Sequence, residues 1–453
     1  MDNIALLQKY NIPVPRYTSY PTVPTWKASI NINDWKSSVE QNFSKCNSTK
    51  GISLYIHLPF CESLCTYCGC NKKITTNHSV EEDYLIAILK EWDLYRSMMN
   101  EVPVLRELHL GGGTPTFFSP ANLERLLQPI IRSCSIHPEH EFSFEGHPNN
   151  TTITHLQCLF NLGFRRVSYG VQDNDPEVQR IINRIQPLAN VESATGNARK
   201  TGFKSVNYDL IYGLPKQTVA SIERTIREVI TLRPDRIAFY SYAHVPWTSR
   251  GQRLFDERDL PTVNEKLNLY LSGRKLLLDA GYIDIGMDHF ALPEDELCKA
   301  AAAGKLHRNF MGYTTQNSGM LIGLGVSSIS DTGESYAQNK KTIHDYYHCI
   351  NNGVFAVEKG YFLNEEDLSF KKYILDISCR LETTFHRDDF DLLLQYSFPE
   401  LESLMQDGLV SYNNSGMQVT EKGKNFIRNI CRAFDLHLLR TQQSQSLMFS
   451  KAI

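Results

Sequence analysis

Ile52-Ser-Leu-Tyr-Ile-His57 is a short apolar run with the character of a strand, and the loop Cys61-Glu-Ser-Leu-Cys65-Thr-Tyr-Cys68 follows it closely. Three thiolates spaced C-x3-C-x2-C suit an iron–sulfur cluster. A [4Fe-4S] cube usually takes four cysteines. Three would leave one iron open to a small molecule, and an open position separates a reactive metal site from a structural one. With 11 cysteines in 453 residues, chance supplies roughly 0.006 such triplets, so the loop reads as a motif. Cys70 offers a fourth thiolate and, with it, a zinc knuckle as the alternative. Structural zinc prefers two well-separated C-x2-4-C pairs, which four cysteines within ten residues match poorly.

Working outward, strands and helices alternate. Strand candidates are 52–57, 106–110, 141–145, 166–171, 205–211 and 236–242. Several are largely apolar, as a sheet covered on both faces requires. In 80–96, Tyr84, Leu85, Ile88, Leu89, Trp92 and Tyr95 recur at helical spacing, and Ser79 with Glu82 reads as a capping box. Further helices are predicted over 120–133, 189–200, 217–231 and 262–280. Six βα repeats favour a parallel α/β barrel, complete or partial, over a doubly wound open sheet. The deciding observation is that the unusual residues fall just past strand C-termini, where barrels collect function. The cysteine loop follows strand one and Gly111-Gly-Gly-Thr-Pro-Thr116 follows strand two. Glu145 and Gln172 close strands three and four. Asp209 lies near the end of strand five, and Tyr242-Ala-His244 ends strand six.

Ahead of this core, residues 1–50 carry Pro15-Arg-Tyr-Thr-Ser-Tyr-Pro-Thr22, whose prolines suggest an extended arm and not a helix. The barrel is assigned to 51–300 and a linking region packing on it to 301–364. A mostly helical C-terminal domain, 365–453, contains Asn413-Asn-Ser-Gly416 between alternating apolar runs, a hairpin signal. Helices plus one hairpin look like a winged-helix module.

Composition narrows the function classes. There are 47 Lys+Arg against 50 Asp+Glu, a net charge of −3, which argues against a nucleic-acid protein that relies on bulk positive charge. No run of 18 apolar residues exists to span a membrane, and the first residues lack the charged and apolar regions of a signal peptide. A reducing cytoplasm fits thiols that must stay unoxidised.

The candidate site residues each carry a plain reading beside the chemical one. The triple glycine lacks the Gly-Lys-Ser/Thr ending of a nucleotide loop. It is either a tight turn or an exposed backbone that can grip a small zwitterion. Glu145 and Asp209 either cap helices or together meet an ammonium and a ribose diol. Gln172 is less specific. Arg184 is either a surface cation or a planar fork for a ligand carboxylate. Tyr55 points inward and is either barrel filling or part of the site.

Taken together, these residues resemble the radical S-adenosylmethionine superfamily and, within it, the oxygen-independent coproporphyrinogen III oxidases (dehydrogenases). The likeness covers almost all of the chain. It includes Arg16-Tyr-Thr-Ser-Tyr-Pro21, His57-Leu-Pro-Phe-Cys61 with the rest of the cysteine loop, and Gly111-Gly-Gly-Thr-Pro-Thr116. It continues through Asp209-Leu-Ile-Tyr-Gly-Leu-Pro-Lys-Gln217, Gly286-Met-Asp-His-Phe290, His307-Arg-Asn-Phe310, Tyr336-Ala-Gln-Asn339 and Ile427-Arg-Asn-Ile-Cys431. The cysteine triplet is superfamily-wide; the arm, Cys70 and the last four segments are more specific to this enzyme.

The resemblance implies a partial (β/α)6 barrel and an oxidoreductase of porphyrin and haem biosynthesis. A reduced [4Fe-4S] cluster on Cys61, Cys65 and Cys68 would split S-adenosylmethionine. The resulting 5′-deoxyadenosyl radical would remove a β-hydrogen from each of two propionates of coproporphyrinogen III. Loss of carbon dioxide and one electron leaves vinyl groups and protoporphyrinogen IX. Family members hold two S-adenosylmethionine molecules. By matching positions, Tyr55, Gly112, Glu145 and Ile329 would contact the one on the cluster. Tyr67, Gly113, Thr114, Gln172, Arg184, Asp209 and Ala243 would contact the second. Tyr55 joins the three cysteines in the catalytic set, and Cys70 is not expected to be a ligand. Arg16 and Arg308 are the first cations to try against the four substrate carboxylates. The resemblance also implies a monomer; electron donor and acceptor stay unidentified. The chain departs from better-known members at His147, where they read Glu-Val-Asp-Pro, and at Tyr67, where phenylalanine is usual. The rivals are a haem-binding chaperone of the same superfamily, which typically lacks the arm and Cys70, and a metalloprotein binding nucleic acid through the C-terminal wing. The wing has no basic cluster, because Lys422 and Lys424 follow it.

Overall fold

A computed structural model describes residues 3–441, with side chains from Ala5 onward. The chain opens with helices α1 (Asn3–Tyr10) and α2 (Ile32–Cys46), joined by a stretch with little regular structure. The βα series follows: β1 (Ile52–Leu58), α3 (Val80–Arg96), β2 (Val104–Gly112), α4 (Pro120–Arg132), β3 (Ser135–Gly146), α5 (Ile153–Asn161), β4 (Arg166–Gln172), α6 (Leu188–Thr201), β5 (Ser205–Tyr212), α7 (Val219–Leu232), β6 (Arg236–Ser241) and α8 (Val263–Asp279). Strands β1 to β6 lie side by side in sequence order, every pair parallel. This is the half-barrel that the periodicity predicts. Burial explains the apolar runs: β1 is buried at six of its seven positions, as a strand covered on both faces must be.

Two local expectations fail for identifiable reasons. Ser79 does not cap α3. It already has helical angles (φ −62°, ψ −17°) and makes no side-chain cap bond. Asn77 takes the Ser79 N–H at 3.0 Å, while Glu82 is drawn outward to Arg125 at 2.6 Å. The region 1–50 is also not all extended arm. Its prolines govern only the stretch around Pro13–Pro24. Beyond it Asn31 accepts the Asn33 N–H, and Trp35, Val39, Asn42, Phe43 and Cys46 form the buried face of α2.

Later chain extends the half-barrel at both of its edges. Strands β7 (Ile283–Gly286) and β8 (His289–Ala291) form an antiparallel hairpin on β6. A separate hairpin, β9 (His307–Asn309) and β10 (Gly312–Thr314), follows. Then come β11 (Met320–Leu324), β12 (Ile329–Asp331), β13 (Ser335–Asn339), helix α9 (Ile343–Asn351) and β14 (Val357–Phe362). Strand β11 lies parallel to β1, Tyr55 opposite Gly323, and β12 to β14 continue antiparallel. The result is an open twelve-stranded sheet, β14-β13-β12-β11-β1-β2-β3-β4-β5-β6-β8-β7. The region expected to pack on the barrel thus extends its sheet. Buried Glu91 of α3 pins the junction: it accepts the Gly325 N–H at 2.7 Å, the Asn339 amide at 2.6 Å and the Tyr346 hydroxyl at 2.7 Å.

The C-terminal module contains α10 (Glu365–Arg380), β15 (Glu382–Thr384), α11 (Phe398–Gln406), β16 (Val410–Asn413), β17 (Gly416–Val419) and α12 (Ile427–Arg432). The hairpin turns at Asn413–Gly416 as its sequence requires, and β15 completes a three-stranded sheet. Leu6, Leu7, Tyr10, Tyr17 and Tyr20 share one core with Phe370, Tyr373, Ile377, Ile430 and Phe434, so the arm is anchored in this module. Among the described residues no helix is long and apolar enough to cross a membrane.

Candidate active site

At the C-terminal ends of the parallel strands lies a cavity of about 440 Å³. Cys61, Cys65, Tyr67, Cys68, Gly112, Gly113, Thr114, Glu145, Gln172, Arg184 and Asp209 all line it. Three sequence-predicted residues do not. Tyr55 stands behind the wall, its ring 5.9 Å from that of His109 and its hydroxyl 3.1 Å from His57 Nδ1. Ala243 presents its carbonyl to Gln252 at 3.1 Å. Ile329 sits at the start of β12, its backbone so close to Gly323 that a Cβ there would lie 2.4 Å from the Ile329 carbonyl oxygen.

The cysteine loop is held mainly through its backbone, and its three cysteines line the cavity. Thr66 N–H and Asn183 Nδ2 fasten it to the segment after β4. Ser249 and Gln252 donate to the carbonyls of Cys68 and Tyr67 at 2.9 and 3.0 Å. Lys72 Nζ donates to the Cys68 carbonyl at 3.0 Å, and Thr114 Oγ1 lies 3.4 Å from Cys61 Sγ. Among the described residues no three His, Cys, Asp or Glu side chains converge as a single ion would need. Cluster ligands instead bind separate irons and stay apart. Cys70 lines the same cavity, but the three cysteines of the triplet by themselves match the donor set of a [4Fe-4S] cluster with one free iron.

Beside the loop, the glycines give a backbone cradle. Gly112 has φ +112°, and a Cβ there would lie 2.6 Å from the His57 ring; one on Gly113 would lie 2.6 Å from the Pro59 carbonyl. Only glycine fits either position. Arg184 bonds the Gly170 carbonyl, and its Nη1 is 3.6 Å from Cys65 Sγ. Its Nε is buried with no partner. An orphaned guanidinium donor beside a glycine cradle fits a zwitterionic ligand carrying a carboxylate. Cradle, orphan donor and thiols together fit S-adenosylmethionine.

The two carboxylates are set to different charge states. Burial pushes Glu145 up, but hydrogen bonds from His109 (3.5 Å) and the Gly112 N–H (3.2 Å) outweigh it and hold the carboxyl below its ordinary range. Asp209 is pushed up to about 7 by burial and then by the charge of Glu145; a bond from Ser168 at 3.2 Å only partly offsets this. His147 replaces an acid on the cavity wall. Burial and Arg184 hold its imidazole down to about 3, and its Nδ1 accepts the Asn149 N–H at 3.1 Å, so it is a neutral ring whose other nitrogen carries the proton.

Sequence reasoning missed Tyr240, which walls the cavity. Attention went to Tyr242 and His244 at the end of strand six. Tyr242 is buried against Val178 and Leu214, and His244 turns to Glu257 at 3.0 Å. Counting alternate positions back from the strand end would have found Tyr240.

Comparison with known proteins agrees with this geometry. The Radical SAM superfamily profile matches residues 55–229. The chain is 37% identical over 441 residues to the oxygen-independent coproporphyrinogen III oxidase of Pseudomonas aeruginosa, covering 96% of this chain and 95% of that protein. It is 39% identical over 457 residues to the enzyme of that description from Escherichia coli, covering 100% and 98%. The solved structure of Escherichia coli coproporphyrinogen III oxidase, described as a radical SAM enzyme, superposes with a TM-score of 0.88 at 37% identity, covering 96% of this chain and 98% of that one.

Proposed function

The chain belongs to the oxygen-independent coproporphyrinogen III oxidase family of radical SAM enzymes, and from that premise we propose that it converts two propionates of coproporphyrinogen III to vinyl groups, giving protoporphyrinogen IX. Each propionate gives up one β-hydrogen, one carbon dioxide and one further electron. When bound, a [4Fe-4S] cluster and S-adenosylmethionine supply the hydrogen-abstracting radical.

The chain's own residues do the rest. Cys61, Cys65 and Cys68 hold the cluster. Gly112 and Glu145 serve the cosubstrate on it, and Tyr55 and Ile329 support the wall, Tyr55 behind Gly111 and Ile329 against Gly323. Tyr67, Gly113, Thr114, Gln172, Arg184 and Asp209 serve a second one, while Ala243 holds Gln252 behind Tyr67. Glu145, ionised at neutral pH, receives an ammonium. Arg184 Nε gains the partner it lacks from a carboxylate. Asp209, near its titration midpoint at neutral pH, accepts ribose hydroxyls once ionised. The arm and the C-terminal module cover the barrel mouth and keep water from a reactive radical. A reducing cytoplasm suits such a site, and we place the enzyme there as a monomer.

The observation that carries this reading is the convergence of the cysteine loop, glycine cradle, orphaned Arg184 donor and paired carboxylates on one cavity. The test is anaerobic. The reconstituted protein, given reductant, S-adenosylmethionine and coproporphyrinogen III, is expected to yield protoporphyrinogen, carbon dioxide and 5′-deoxyadenosine. Haem binding without vinyl product would support a chaperone instead.

A further inference from the structure

Beyond Tyr240, on the side of the cavity away from the cysteines, the polarity of the protein reverses. Arg308 on β9 is 6% exposed. Its Cζ lies 4.7 Å from the Tyr313 ring centroid, and its Nη2 donates to the Arg16 carbonyl at 3.2 Å. Its Nε and Nη1 are buried with no hydrogen-bond partner. Arg16, on the arm, donates from Nη2 to the Ser241 carbonyl at 3.2 Å. Its guanidinium lies 5.4 Å from the ring centroid of Tyr240, the residue that walls the cavity. Among the described residues neither arginine has a carboxylate within ion-pair distance. Both are met only by carbonyls and aromatic faces.

The charged groups around them leave a positive excess. Asp288 is the acid in their field and also feels Arg428; the Arg428 guanidinium is turned to the Val14 and Pro15 carbonyls. His289 is neutral, held down to about 3 by burial and by Arg308. Guanidinium groups taken out of water without an anion are costly, and a native protein keeps such an arrangement where a ligand completes it. Glu145 and Asp209 thus face the site cavity together with Tyr240, Arg16 packs on the Tyr240 ring, and Arg308 lines a neighbouring cavity of about 230 Å³ with Tyr17, Tyr20 and Tyr336.

We propose that Arg16 and Arg308 form a carboxylate clamp that receives a propionate of the tetrapyrrole. This rests on the substrate class proposed above. Arg308 supplies the fixed fork from the hairpin. Arg16 closes from the arm, whose carbonyl releases Arg308 Nη2 as the carboxylate arrives. Substrate binding and arm position are thereby linked through one hydrogen bond.

The experiment compares wild type with Arg308→Gln, Arg16→Gln and Arg308→Lys as cluster-reconstituted full-length protein, with cluster absorbance and melting temperature as controls for folding. Affinity for coproporphyrin III, the fluorescent oxidised tetracarboxylate, is measured at low and high salt. Steady-state KM and kcat are measured with coproporphyrinogen III. Each Gln variant is expected to lose about ten-fold or more in affinity, the worth of a charge-assisted hydrogen bond. KM should rise more than kcat falls, and the salt dependence should shrink. Arg308→Lys should fall between, since it keeps the charge and loses the fork. Affinity and KM within two-fold of wild type in both Gln variants would overturn the clamp and leave the proposed reaction standing. Conversely, wild type that makes no vinyl product while the variants still lose coproporphyrin III would sink the reaction and keep the clamp. Because Arg16 lies on the half-buried arm, its variant still decides the matter if Arg308→Gln does not fold.

Discussion

Strand β1 has two parallel neighbours that reach it by opposite routes. Strand β2 arrives one βα unit later, Ile52 opposite Leu105. Strand β11 arrives on the other side from the far end of the barrel segment, Ile52 opposite Met320. The near half is built by local alternation, and strands β2 to β6 each deliver at least one residue to the cavity. The far half is built by a few long-range polar anchors and carries the hairpin and the cover. Reactive chemistry therefore sits on the half that local sequence specifies, while enclosure depends on contacts between distant segments.

The largest effects should come from the near half. Cys61→Ala, Cys65→Ala or Cys68→Ala is expected to abolish cluster absorbance and activity together, because a cube held by two protein ligands is lost. Cys70→Ala should keep the cluster if the C-x3-C-x2-C triplet alone supplies its ligands, although Cys70 lines the same cavity. Iron and sulfide analysis of anaerobic preparations checks both. Cluster loss in the Cys70 variant would show that the loop uses four ligands and is closed.

Next in size is the anchor of the far half. Glu91→Ala strands three buried donors, the Gly325 N–H, the Asn339 amide and the Tyr346 hydroxyl. Leaving such groups unsatisfied costs about 3–5 kcal/mol in all, or roughly 3–5 °C in melting temperature for a chain of this size. Calorimetry that found a change of only a degree or two would mean that β11 is held by strand pairing alone, and the contrast between the halves would weaken.

A smaller effect distinguishes the two carboxylates. Burial raises Asp209 from an ordinary value of 3.8 to about 7. The folded protein thus holds a proton that the unfolded chain has lost, and stability from this group falls as pH rises between those values. Asp209→Asn cannot ionise. Its melting temperature should match wild type near pH 4 and exceed it by a few degrees above pH 7, in protein without added S-adenosylmethionine. A gap that is constant across pH would show that Asp209 is ionised throughout.

The same asymmetry governs what could be read from sequence. The helix predicted over 80–96 is α3 almost residue for residue, and 52–57 is β1 less one residue. Each is decided by neighbours within a few turns. The cysteine loop, Gly112, Glu145 and Asp209 were legible as a rim because a parallel strand's end fixes where the next residue points. Strand β11 was not, since a parallel partner 268 residues away in register leaves no local trace. Nor was the meeting of Arg308 with the carbonyl of Arg16, separated by 292 residues. The arm's motif and the His307-Arg-Asn-Phe310 segment could be matched to a family, but only the fold brings them to one place. The buried Asn31-capped helix α2 was hidden by prolines that belong to the stretch before it.

The smallest effect concerns the start of α3, where local reading itself failed. At α7 the signal holds: Thr218 and Ser221 cap each other's backbone N–H groups, and Thr218→Ala should cost about 1 kcal/mol. At α3 the matching signal, Ser79 with Glu82, is not used. Ser79 is inside the helical angles, so its hydroxyl cannot reach the free N–H groups, and Asn77 turns the chain instead. Ser79→Ala should then change stability by less than about 0.5 kcal/mol, while Asn77→Ala should cost more than Ser79→Ala. Thermal melts of the two variants and of Thr218→Ala, measured side by side, rank the three positions. A Ser79→Ala loss equal to that of Thr218→Ala would restore the capping box at the start of α3. The wider point is that a cap motif is read correctly only when the preceding turn leaves its residue outside the helix, and that turn is set here by Asn77.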